Sequence, residues 1–92
     1  MIPRNYSTEA IVLRTRDNKD ADKIITLFTR DFGKQTVIAK GIKKLSSRKR
    51  GNLEVFNEVK TSVVNTKGMG IITEVQLLNS FENVRSSLQK HQ

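Results

Sequence analysis

A chain of 92 residues has room for one small domain and one core, since folding at this size hides roughly 60 to 65% of the unfolded chain's surface. Seventeen Lys and Arg against nine Asp and Glu give a formal net charge of +8, a field that concentrates phosphate-bearing polymers around the protein. The absence of cysteine and the single histidine, His91, exclude disulfides, zinc-thiolate clusters and thiol catalysis for this stretch, and no apolar run approaches the roughly 20 residues of a membrane span.

The first strand is predicted over residues 8–16, where Ala10, Ile11, Val12 and Leu13 form an unbroken apolar centre that predicts partial cover on both faces. Residues 17–22 are polar and turn-prone. Residues 23–29 resume as a β-branched and aromatic run that pairs with the first as a hairpin. A short turn over residues 30–33, ending in Gly33, leads to a third strand over residues 34–40.

Residues 40–50 then read KGIKKLSSRKR, six cations with no acid. Strand-like sequence on both sides implies that a scaffold holds this run in place, unlike a free basic tail. Residues 45–55 have length for a turn or two of helix before Gly51 interrupts. A fourth strand over residues 56–65 sets Val59, Thr61 and Val63 on one face. Gly68 and Gly70 supply a reversal, and a fifth strand over residues 71–78 sets Ile71, Thr73, Val75 and Leu77 on one face. From Ser80 the period changes: Phe81, Val84 and Leu88 predict a short amphipathic helix, with Asn79 or Ser80 as its cap and Glu82 in its first turn.

Five strands in a three-plus-two layout, with a longer connection between the third and fourth, predict an all-β OB-fold barrel, with an SH3-like barrel as the nearest competitor. Residues 1–80 would be the nucleic-acid-binding domain and residues 81–92 the start of a helical segment. Arg14, Arg16 and Lys34, together with Lys40, Lys43, Lys44, Arg48, Lys49 and Arg50, are candidates for a groove that tracks a phosphate backbone. A solubilising loop is the alternative, but such a surface needs only mixed charge, and this run has one sign. If all six cations of the run met one strand, the log-log salt slope would be about −4. Asp17, Asp20, Asp22 and Asp31 predict a lopsided field, with one face repelling what the other attracts.

Among the aromatics, Phe28, Phe56 and Phe81 are expected in the core, and Tyr6 and Phe32 are the candidates for base stacking. Few aromatics interleave with the cationic run, which argues for backbone binding with little sequence preference. No catalytic, cofactor or metal constellation is expected. There is no P-loop pattern, and the aspartates of residues 17–22 lack the glycine and distal glutamate of a calcium loop. The first ten residues lack the apolar stretch of a secretory signal, so the expected location is cytoplasmic.

Three segments, LFTRDFGK (27–34) leading into AKG (39–41), SRKRGNLEVF (47–56) and LLNSFENVRSSL (77–88), resemble the amino-terminal domain of the bacterial recombination-mediator family RecO. The resemblance implies an OB-fold that binds single- and double-stranded DNA and helps anneal complementary strands. It also implies partners: RecR, with which the family loads RecA onto DNA coated by single-stranded-DNA-binding protein, in the bacterial cytoplasm at the nucleoid. Full-length members continue into a helical domain, often with a cysteine-liganded zinc, so the chain is expected to be an isolated domain or a truncated form. Glu54 and Val55 stand where many relatives carry Gln-Pro. Two other readings of the same residues are an adaptor barrel docking an acidic partner such as RecR, and an RNA-binding barrel.

Overall fold

The alternation of β-branched and polar residues becomes five strands: β1 (Asn5–Asn18), β2 (Asp22–Thr29), β3 (Gly33–Ala39), β4 (Glu58–Val64) and β5 (Gly70–Asn79). They are seen in a computed structural model that describes residues 2–18, 22–40 and 52–82. The strands close into a barrel in the order β1-β2-β3-β5-β4, with β4 returning to β1. All pairings are antiparallel except the seam, where β3 meets β5 in parallel through Val37 and Gly70, and Ile38 and Ile71. That parallel closure, which a simple meander does not make, marks the barrel as OB-like.

Inward-facing positions fill the barrel. Val12, Ile25, Leu27 and Val59 are fully buried and Val37, Val63 and Thr61 nearly so. Each large apolar side chain contributes about 1.5–3 kcal/mol by leaving water. Thr61 sits among them at little polar cost because its hydroxyl donates to the Glu74 carbonyl at 3.1 Å. From the end of the β3–β4 connection Leu53, 4% exposed, joins the same core. The part of the helical turn expected before Asn52 lies outside the described residues.

Simple alternation misplaces two faces, and β-bulges are the reason. In β1 the register passes from Val12↔Leu27 to Arg14↔Thr26, leaving Leu13 as the extra residue. Ile11 and Leu13 are exposed, so the expected double-sided cover of residues 10–13 is corrected to one covered face, carried by Ala10 and Val12. In β5 the register skips Thr73 between Val63↔Ile72 and Ser62↔Glu74. The inward residues are therefore Gly70 and Ile72 rather than Ile71 and Thr73, and Val75 returns to the core side beyond the bulge. A second irregularity skips Leu78, between Val59↔Leu77 and Glu58↔Asn79.

The two glycines before β5 have different reasons for being there. Gly68 stands in open space, but a Cβ at Gly70 would lie 2.8 Å from both Val63 Cγ1 and Asn65 Oδ1. Close approach at the barrel seam, rather than turn conformation, requires glycine at position 70.

After β5, the Phe81 N–H is capped by a residue distant in sequence. It donates to Asn57 Oδ1 at 2.9 Å, and Asn57 Nδ2 donates to the Asn52 carbonyl at 3.3 Å. Asn57 thus ties the β3–β4 connection to the start of the C-terminal segment. The predicted helix beyond Glu82, with Val84 and Leu88, lies outside the described residues. No helix among the described residues is long and apolar enough to cross a membrane.

Candidate nucleic-acid interface

The bulge at Leu13 sets the site. Up to Val12 the even-numbered residues of β1 face the core; past the extra residue the phase inverts, so Arg14 and Arg16 emerge on the outer face shared with Ile11. Three cross-strand rows tile the outside of β1, β2 and β3: Arg16, Ile24 and Ile38; Arg14, Thr26 and Thr36; Ile11, Phe28 and Lys34. Arg14, Arg16, Ile24, Thr26 and Thr36 line a depression of about 180 Å³. Across these three rows the central strand is uncharged, and cations stand on both its flanks. Lys40 is exposed at the far end of β3, where the chain enters the cationic run. Six residue steps from Lys34 to Lys40 span about 20 Å, enough for several nucleotides. Arg14, Arg16 and Lys34 thus belong to one side of the barrel, with Lys40 exposed just past the end of β3. Lys43, Lys44, Arg48, Lys49 and Arg50 lie outside the described residues.

The opposite side differs. Ser7, Lys60, Ser62, Glu74 and Gln76 line its depression, a surface of mixed charge. Asp17 and Asp22 lie at the β1–β2 end and Asp31 at the β2–β3 turn, separated by the length of β2, about 25 Å. The described aspartates therefore do not form the single repelling patch that their closeness in sequence predicts. Among the described residues no group of His, Cys, Asp or Glu has the arrangement of a metal site.

The aromatics exchange their expected places. Tyr6 is 8% exposed, and its ring lies 4.7 Å from that of the half-buried Phe32, tilted by 58°. Both pack on the core, so the expectation of open stacking platforms at Tyr6 and Phe32 is corrected. Burial also raises the Tyr6 phenol above its ordinary pKa, and its hydroxyl has no partner among the described residues. Conversely Phe28 and Phe56, expected inside, are 54% and 51% exposed, and Phe81 is 39% exposed. Phe28 occupies an even position of β2, where Ile25 and Leu27 take the inward face; strict parity was the signal that could have placed it outside. Phe56 has a φ of 71°, at the third position of a turn closed by Asn57 N–H donating to the Glu54 carbonyl at 3.1 Å. Its ring meets Phe81 at 5.5 Å.

The LFTRDFGK segment is explained by the turn it builds. Leu27 is buried and Phe28 points out. The Thr29 hydroxyl donates to the Gly33 carbonyl at 2.7 Å and accepts from the Phe32 N–H at 3.0 Å. Arg30 pairs with Glu9 at 3.0 Å, Asp31 accepts from the Thr8 hydroxyl at 3.2 Å, and Gly33 takes a φ of 68°. The turn fixes β2 against β3 and delivers Lys34 opposite Phe28.

Fold and surface together define a closed OB-like barrel that displays cations along the outside of its first three strands. Comparison with known proteins gives the family. Residues 1–81 match the model described as "Recombination protein O N terminal", and the chain belongs to that family. It is 36% identical over 90 residues to a DNA repair protein RecO of Roseiflexus sp. (strain RS-1), covering 98% of this chain and 31% of that protein. It is 37% identical over 87 residues to a DNA repair protein RecO of Dehalococcoides mccartyi, covering 95% of this chain and 34% of that protein. A DNA repair protein RecO of Halalkalibacterium halodurans is 34% identical over 83 residues, 90% of this chain and 33% of its own length. The chain therefore spans about a third of the length of these curated relatives.

Proposed function

We propose that the chain binds DNA on the outer face of β1, β2 and β3 and serves recombination and repair without a catalytic step of its own. Arg14, Arg16, Lys34 and Lys40 neutralise phosphates along the face, and Lys43, Lys44, Arg48, Lys49 and Arg50, which follow in sequence, add further phosphate contacts. The observation that carries the reading is the Leu13 bulge, which turns Arg14 and Arg16 onto the side that also holds Lys34. A barrel that neutralises two strands at once lowers their mutual repulsion and so supports annealing. In the whole protein this activity would act in the cytoplasm with RecR, RecA and single-stranded-DNA-binding protein.

The test is a titration of labelled single-stranded DNA at a series of salt concentrations. Four to nine phosphate contacts give a log-log slope of about −3 to −6. Absence of binding in dilute buffer would overturn the proposal.

A further inference from the structure

Resting on that reading and deepening it, we propose that Phe28 is the base-stacking platform of this face and that it gives the domain a preference for single strands. Phe28 is the most exposed of the large hydrophobic side chains among the described residues, at 54%, although it lies in the middle strand of a three-strand face. In register it stands between Ile11 on β1 and Lys34 on β3, one row from Arg14. An aromatic face with cations on either flank suits a polymer that alternates flat rings with phosphates.

Beside the ring opens a cleft of about 440 Å³, whose apolar walls are Ile11, Phe28 and Leu78. The bulge at Leu78 helps make the cleft, because that residue is skipped in the β4–β5 register. Its rim carries Glu58 and the Glu9–Arg30 ion pair. With Glu9 neutralised by Arg30, Glu58 leaves that rim net negative and so disfavours phosphate there, while Arg14, Arg16 and Lys34 attract it on the other side of the ring. The backbone therefore runs over the cations, and an uncharged base turns toward Phe28 and the cleft. A base inside a duplex is already stacked and paired, so this contact is available to single strands only.

The natural chain contains no tryptophan, so Phe28→Trp introduces a single indole reporter at the proposed contact. Saturation with oligo-dT should quench its emission, and Phe28→Ala should weaken oligo-dT binding by about 5- to 150-fold. Affinity for duplex DNA should stay within about twofold of the wild-type value. Phe28→Leu, apolar but without a π-face, should behave like Phe28→Ala, whereas Phe28→Tyr should restore binding. Circular dichroism checks that each variant is folded, and exposure of the side chain makes loss of fold an unexpected outcome. Unchanged indole emission at saturating oligo-dT, or oligo-dT binding by Phe28→Ala equal to wild type, would overturn the stacking assignment. Salt-dependent DNA binding by the wild type alongside that result would leave the backbone-binding reading standing. No binding by the wild type would remove both.

Discussion

Replacing Arg14, Arg16 and Lys34 together with alanine removes three of the four described cations of the proposed face and leaves the cationic run untouched. At about 0.7 counterions released per neutralised phosphate on a single strand, the log-log salt slope should become shallower by about 2. Between about 50 and 200 mM salt, a fourfold change, the wild type should lose roughly 20-fold more affinity than the variant. The three side chains are exposed, so the variant should keep its stability to within about 0.5 kcal/mol. Fluorescence anisotropy with labelled oligo-dT at five or six salt concentrations measures the slope, and urea denaturation checks the fold. A double variant, Lys60→Ala with Lys67→Ala, removes two exposed cations from elsewhere on the barrel and should leave the slope unchanged. A wild-type slope in the triple variant, or an equal flattening per charge by the control, would mean that the Leu13 bulge does not aim a specific contact surface.

Two further outcomes test the scaffold. Gly70→Ala forces a methyl group to within 2.8 Å of Val63 Cγ1 and Asn65 Oδ1, and should lower the urea stability by about 1–3 kcal/mol, whereas Gly68→Ala, in open space, should change it little. Equal effects at the two positions would contradict the packing role assigned to Gly70. Tyr6→Phe removes a buried hydroxyl with no partner among the described residues, so stability near neutral pH should stay level or rise by up to about 1 kcal/mol. Because the folded state holds the Tyr6 proton more tightly than the unfolded chain, wild-type stability should fall as pH rises from about 10 toward the raised value. Urea midpoints measured up to that range should show this component in the wild type and not in Tyr6→Phe, and both proteins should bind DNA equally.

Strand existence and order were legible because β-branched runs, a glycine-ended turn and a long third connection each have a local cause. The inward face of β4 follows from simple alternation, and Val59, Thr61 and Val63 are all buried. Alternation failed where a bulge inserted a residue: β1 at Leu13 and β5 at Thr73 and Leu78 change phase through a long-range register that no local pattern announces. The candidate site suffered most from this effect. Arg14 and Arg16 were visible as cations, but their arrival beside Lys34 depends on the bulge. For the aromatics, an apolar context in sequence does not mark burial. Phe28 is surrounded by Ile, Leu and Thr yet occupies the outer parity of β2, while Tyr6, in polar surroundings, reaches inward to Phe32. The turn of residues 54–57 places Val55 at its second position, which proline also suits, and Phe56 at its third with a positive φ that an apolar residue in sequence does not announce.

The most direct test of the outer face as the DNA contact is an amide chemical-shift titration of the ¹⁵N-labelled chain with oligo-dT. Amides of residues 11–16, 24–28 and 34–38 should move in proportion to occupancy, while those of residues 5–8, 60–64 and 72–76 stay in place. Shifts concentrated on the β4–β5 side, with the β1–β3 face unmoved at saturation, would contradict the account.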